Sequence, residues 1–397
     1  MTDDRIVDRR TAERWRPAWA DIDLAAVRHN AGVLRAAVAP AGLCAVVKAD
    51  GYGHGAVSVA RAAVEGGASW LAVALVEEGI ALRDAGLEVP ILLLSEPPVD
   101  GMTEAIGRQL VPTVYTRPCI DELAKAAAAG GLTAVDVHLK VDTGMHRVGA
   151  ALDDIVGLAD AIAEAGPLRL GALWTHLAVA DGEVAGDAEF TRLQLERFDG
   201  AVGALASVGH SPPLTHVANS AGAIAFAGSR RDLVRCGIAV YGVAPTPALA
   251  DTLADITGGG QLRPVLSLRT RVTYVRNLEA GARPSYGRRR PLPRTATVVT
   301  APIGYADGVP RRLFDQGGEV LIGGQRRPLA GVVTMDQIVI DCGPPDEAAV
   351  GVGDEVVLLG RQGDQEITAD EWAGRLGTIS YEVLCGIGPR VPRHPFG

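Results

Sequence analysis

The stretch Ala45-Val46-Val47-Lys48-Ala49-Asp50-Gly51-Tyr52-Gly53-His54-Gly55 reads as a short apolar strand that ends on one lysine and breaks into a turn with three glycines in five positions. A lysine just past such a run lies at the mouth of a sheet or barrel, where partial desolvation favours the neutral, nucleophilic amine that a Schiff base requires. Taken alone, a K-x-D-G segment is as well read as an exposed lysine in a tight turn. The apolar lead-in, Tyr52 four residues on and the glycines favour the reactive lysine.

Outward from this stretch, extended apolar runs recur at about 43–47, 70–74, 90–94, 111–114, 135–141, 169–175, 214–217 and 233–236, separated by Ala-rich segments with helical spacing. Eight strands with seven intervening helices are the arithmetic of an α/β fold of the (β/α)8 TIM-type barrel. An open doubly wound sheet would carry G-x-G-x-x-G at its first helix, and that motif is absent. In front, residues 19–24 alternate like a strand, and Asp23 can cap a helix through Val27, Leu34 and Val38. The polar, triple-glycine stretch near 250–260 reads as a linker. Beyond it, period-two runs at 266–275, 295–301, 320–322, 332–341 and 356–359 predict a C-terminal β-rich domain, with one helical segment over 369–376. The expected division is an N-terminal tail over 1–18, a barrel over 19–260 and the β-rich domain over 261–397.

At 397 residues the chain is too long for one small core. A formal net charge of −9 argues against a general nucleic-acid binder. Arg288-Arg289-Arg290 is the local exception, read as a solvated loop or one that steers an anionic substrate. The five cysteines are widely spaced without C-x-x-C, so neither a disulfide framework nor a metal site is expected. Residues 1–16 lack the apolar core of a signal peptide, and no segment approaches the length of a membrane span. The expectation is a cytoplasmic protein with no membrane partner.

In a barrel, catalytic groups gather at the C-terminal strand ends, and phosphate sites favour the loops after strands seven and eight. Here Lys48 follows the first strand, Arg147 the fifth, His176 the sixth, and Asn219 and Ser220 the seventh, while Arg235, Gly237 and Ile238 end the eighth. Singly, each has an ordinary reading. Ser220 suits a helix cap as well as a phosphate ligand, and His176 suits a hydrogen-bonded core position. Arg235, between Val234 and Cys236, is costly in an apolar strand without a defined partner.

Together with K-A-D-G-Y-G-H-G at 48–55, the motifs L-K-V-D-T-G-M-H-R-V-G at 139–149, T-H at 175–176, A-N-S at 218–220, R-C-G-I-A-V-Y-G at 235–242, S-Y-G at 285–287, P-I-G-Y-A-D-G at 302–308, M-D-Q at 335–337 and T-I-S-Y-E at 378–382 run nearly the whole length of the chain. In this order they resemble the alanine racemases, of fold type III. The resemblance implies an isomerase that uses pyridoxal 5'-phosphate to interconvert L- and D-alanine, supplying D-alanine for peptidoglycan. Lys48 would carry the cofactor, with Tyr52, Ser220, Tyr381 and the backbone near Gly237 and Ile238 on its phosphate and Asn219 beside its ring.

Inversion needs a base on one face of Cα and an acid on the other, and the family assigns these to Lys48 and Tyr286. In the family the tyrosine reaches the partner subunit's site, which implies a homodimer with shared active sites. His176 and Arg235 would link the pyridine nitrogen to that tyrosine. Arginine there can only donate, which makes a weaker electron sink and disfavours transamination and decarboxylation. Arg147 and the Met335 amide match substrate contacts. Lys140 matches a lysine that is often carbamylated, or it simply pairs with Asp142 or another surface carboxylate. Tyr305, Arg311, Asp336 and Tyr381 match the access corridor. Many members carry arginine three residues before the methionine of M-D-Q; this chain has Val332, which changes the charge of the corridor and bears on substrate range.

Two other readings share these residues: a broad-specificity racemase or ornithine-type decarboxylase on the same plan, and a non-catalytic pyridoxal-phosphate carrier. Arg235 speaks against a decarboxylase, and the β-rich half with Tyr286 and Met335 against a carrier.

Overall fold

The computed structural model describes residues 15–182 and 184–397. The tail expected over 1–18 therefore lies outside the described residues as far as residue 14. The chain forms two compact units, one over 23–265 and one joining the residues before Asp23 to Leu266–Phe396.

The first unit is a parallel barrel. Its strands are β1 (Gly42–Val46), β2 (Trp70–Val73), β3 (Ile91–Leu93), β4 (Leu110–Val111 and Thr113–Val114), β5 (Val135–Lys140), β6 (Leu168–Trp174), β7 (Leu214–His216) and β8 (Leu233–Cys236). β4 is one strand in two halves because Pro112 has no N–H to donate, although its carbonyl still accepts from His138 N at 2.9 Å. β8 pairs back onto β1, with Arg235 opposite Cys44. Asp232 N to Thr215 O (3.1 Å) and Arg235 N to Ala218 O (3.0 Å) join β7 to β8 and close the ring.

Side chains alternate along each strand. On β5, Val137 and Leu139 pack outward with helix residues such as Ile120, Leu123, Ala159 and Ile162, while His138 and Lys140 face the other way. Helix Leu24–Val38 precedes the ring, capped by Asp23, whose Oδ1 accepts from Ala26 N at 2.9 Å.

The strand expected from residue 19 forms as Ala18–Asp23, but it belongs to the β-rich unit and not to the barrel. It pairs antiparallel with Leu266–Arg271, Ala20 opposite Leu268, and buries Ala18, Ala20 and Ile22. The physical reason is that a closed ring of eight strands has no edge left to pair, whereas the C-terminal sheet does. Its order is Gln325–Pro328, Glu319–Ile322, Glu355–Gln362, Leu266–Arg271, Ala18–Asp23, Arg393–Phe396, with Gln365–Ile367 beside Glu355–Gln362. A second antiparallel sheet holds Tyr274–Leu278, Ala296–Ala301 and Ile338–Asp341.

The boundaries thus move from 19 and 260 to 23 and 265. Residues 250–260 are not a linker: most lie in helix Pro247–Thr257, which Thr246 caps by accepting from Leu249 N and which proline opens, with Leu253 buried. The run 266–275 divides between two sheets, and 332–341 is strand only over Ile338–Asp341. A short helix, Ser380–Cys385, follows Ala369–Leu376 where one helix was expected. Among the described residues, no helix is long and apolar enough to cross a membrane.

Candidate active site

At the end of β1 the backbone makes a left-handed turn. Ala49, Asp50, Gly51 and Tyr52 all have φ between 51° and 62°. Left-handed backbone costs an L residue about 1–2 kcal/mol, so this turn behind Lys48 must be held by its surroundings. Glu78, on helix Val76–Asp84, accepts from Ala49 N at 2.6 Å and from Ala74 N and Leu75 N at 2.9 and 3.1 Å. Asp50 Oδ1 accepts from Ala56 N at 2.9 Å. The buried Tyr241 donates to Val46 O at 3.0 Å, and its ring lies 4.8 Å from that of Tyr52 and 4.6 Å from that of His54. Glu78 carries no motif signal and was not expected; Tyr241 belongs to the motif at 235–242, but its place behind the lysine turn was not expected.

The two readings of Ser220 separate cleanly. Asn219 is the cap of helix Ser220–Ala225, its Oδ1 accepting from Gly222 N at 2.9 Å. The Ser220 hydroxyl accepts instead from Gly237 N at 3.0 Å. A Cβ on Gly237 would fall 2.4 Å from the Tyr52 hydroxyl. Tyr52, Ser220 and Gly237 therefore converge on one cradle, with Ile238 next in the chain.

Arg235 is buried with its partners supplied by β6 and β7. It donates to Thr175 O (2.7 Å), Val217 O (3.0 Å), His216 Nδ1 (2.7 Å) and His176 Nδ1 (3.3 Å). Since guanidinium has no acceptor, both histidines must accept through Nδ1 and carry their proton on Nε2. His216 then donates from Nε2 to His138 Nδ1 at 3.0 Å. Burial, then the charge of Arg235, holds His138 down to about 3 and His176 and His216 well below the usual imidazole range. The arginine is lowered by burial to about 10 and stays protonated at neutral pH. The chain Arg235–His216–His138 was not expected; the signal for it is a histidine at a buried position on each of two apolar strands.

Lys140 is 4% exposed, its Nζ 4.3 Å from the centre of the Trp174 ring. It does not pair with Asp142, which accepts instead from Gly144 N and His146 N at 2.9 and 3.1 Å. Burial, then Arg235 and Arg147, pulls the Lys140 amine down to about 7. Arg147 is exposed and, among the described residues, forms no hydrogen bond or ion pair. The barrel mouth thus gathers Lys48, Lys140, Arg147 and Arg235, a field suited to anionic ligands.

In the β-rich unit Tyr286 stands 71% exposed on the turn Tyr286–Arg288. Tyr305 N and Ala306 N donate to Thr334 O and Met335 O at 3.0 and 3.1 Å, tying 304–308 to the loop of Met335. Asp336 pairs with Arg390 at 2.7 Å. Arg311 lines a cavity of about 430 Å³ with Arg312, Thr378 and Glu382, and Tyr381 lies between the last two on helix Ser380–Cys385. Val332, the departure from the family pattern, is buried, and its carbonyl accepts from the Ser285 hydroxyl.

The family description alanine racemase, N-terminal domain, matches residues 22–245, and alanine racemase, C-terminal domain, matches 265–395. The chain is 46% identical over 381 residues to an alanine racemase of Symbiobacterium thermophilum, covering 95% of this chain and 97% of that one. Its fold is similar to the crystal structure of alanine racemase from D-cycloserine-producing Streptomyces lavendulae (38% identity, TM-score 0.87, 97% and 98% covered). It is also similar to a histidine racemase from Leuconostoc mesenteroides subsp. sake (28%, TM-score 0.80, 96% and 99%). With both domain descriptions matched in order along one chain, on a barrel whose mouth ends in the lysine turn and the buried arginine, the protein belongs to the alanine racemase family.

Proposed function

We propose that the protein interconverts L- and D-alanine with pyridoxal 5'-phosphate held at the barrel mouth, supplying cytoplasmic D-alanine for peptidoglycan. The observation that carries this is the meeting of the Tyr52 and Ser220 hydroxyls at Gly237, where only a bare Cα lets the Tyr52 hydroxyl approach: two hydroxyls in the field of Lys48, Lys140, Arg147 and Arg235 suit a phosphate ester. Bound there, pyridoxal phosphate spreads the charge left when the α-proton departs.

The chain's own groups do the rest. Tyr52, Ser220, the backbone near Gly237 and Ile238, and Tyr381 hold the phosphate. Lys48 moves the proton at one face of Cα. Tyr286, supplied by a second copy of the chain in a homodimer, moves it at the other. For the phenol of Tyr286 to act as a base its anion has to be favoured. His176, neutral with its proton on Nε2, can donate to that oxygen, and the surrounding cations favour negative charge. Arg235, a donor without acceptor capacity, would leave the ring nitrogen unprotonated, a weaker electron sink that disfavours transamination and decarboxylation relative to return of the proton. Arg147 and the Met335 N–H, which among the described residues donates to no protein acceptor, hold the substrate carboxylate. Lys140, near neutrality in its amine, is a carbamylation candidate whose anion would orient Arg147. Tyr305, Arg311 and Asp336 line the way in.

The test is incubation of cofactor-loaded protein with L-alanine in heavy water. Deuterium at Cα together with D-alanine is expected, and their joint absence overturns the reading. Tyr286→Phe is expected to lower racemisation by about 10²–10⁴-fold while the absorbance of bound cofactor persists.

A further inference from the structure

Among the described residues of the β-rich unit, only two non-glycine residues have positive φ, and they bracket Tyr286 and Gly287: Ser285 at 67° and Arg288 at 46°. Ser285 also has ψ −175°, a combination that is essentially reserved for glycine. Such a residue persists only where its surroundings over-determine it. Here they do so from one side. The Ser285 hydroxyl donates to Val332 O at 2.6 Å, and Val332 is buried at 1% exposure. The residue before it is Gly331, where a Cβ would fall 2.6 Å from both Pro284 O and Ser285 Cβ. At the other end of the turn, Arg283 donates to Arg288 O at 3.0 Å.

A loop built only to turn would carry glycine at 285 and avoid the strain. Serine keeps the strain and adds one bond to a rigid acceptor. We propose that Ser285 is a positioning residue: its hydroxyl, bound to the Val332 carbonyl across the bare Cα of Gly331, holds the turn in the conformation that presents the Tyr286 phenol for proton transfer. This rests on the reading of Tyr286 as the acid and base of one face.

The test compares Ser285→Ala, which keeps the strain and loses the bond, with Ser285→Gly, which loses both. Gly331→Ala pushes the turn from the opposite side. L-alanine and D-alanine are each incubated with the holoenzyme in heavy water, and the ratio of α-exchange with retention to racemisation is measured for the one that presents its α-proton to Lys48. A misplaced Tyr286 leaves exchange at the lysine face and slows proton return from the other, so all three variants are expected to raise the ratio, by about tenfold to a hundredfold. Faster amide hydrogen exchange over residues 283–290 should accompany it. A general loss of folded or loaded enzyme lowers both processes and leaves the ratio alone. A wild-type ratio in Ser285→Gly and Ser285→Ala, with wild-type enzyme racemising, overturns the assignment of Ser285 by itself. No racemisation by the wild type overturns the reading of Tyr286 along with it.

Discussion

Lys140 forms no ion pair among the described residues and rests on the face of Trp174, with Arg235 also over that ring at 4.5 Å. Burial first, then the charges of Arg235, Arg147 and Lys48 against the opposing charge of Asp142, bring the amine from its ordinary 10.5 to about 7. Between those values the unfolded chain binds a proton that the folded chain does not. Stability from this group therefore is full above 10.5 and is lost as pH falls toward 7. In CO2-free buffer, Lys140→Met is expected to flatten the pH dependence of urea unfolding across that window, by up to about 1.4 kcal/mol per pH unit. An unchanged slope would return Lys140 to a charged, solvated state. The same neutral amine is the nucleophile carbamylation requires, so carbon-13 bicarbonate should give a carbamate signal in the wild type that Lys140→Met lacks.

One scale up, the turn behind Lys48 is an element that exists because other elements hold it. Its three non-glycine residues in left-handed backbone oppose it by about 1–2 kcal/mol each. Glu78 answers with three charge-assisted bonds from one carboxylate, joining the ends of β1 and β2. Removing it leaves the N–H groups of Ala49, Ala74 and Leu75 to solvent and unties the two strand ends. Glu78→Ala is expected to weaken cofactor retention about tenfold or more, at about 1.5–3 kcal/mol for a charged hydrogen bond, while Glu78→Gln, which keeps an acceptor oxygen, recovers part of it. Fluorescence titration of the apo-protein with pyridoxal phosphate reads both.

At the scale of the whole molecule, the proposed acid and base lie in different units, Lys48 in the barrel and Tyr286 in the β-rich unit. If each site takes its tyrosine from a second chain, two inactive variants must rescue one another. Mixing Lys48→Ala with Tyr286→Phe, after dissociation and reassociation, makes heterodimers with one complete site. Activity should return to about one quarter of wild type for random pairing into twofold dimers. Sites complete within a single chain would give no recovery.

The sequence by itself determined the barrel, because eight apolar runs separated by helical spacing leave few alternatives, and it marked Lys48 and Arg235, because each is a cation ending or interrupting an apolar strand. It also marked the β-rich half by its period of two. Where residues 18–23 go was settled by the packed fold, since partners as far apart as Ala18 and Thr270 are chosen by which sheet still has an edge. Likewise it alone brought Glu78 to Ala49, His216 and His138 behind Arg235, and Val332 against Ser285. These contacts join distant segments, and the strain and lowered pKa values they hold arise from burial, which no local pattern of residues records.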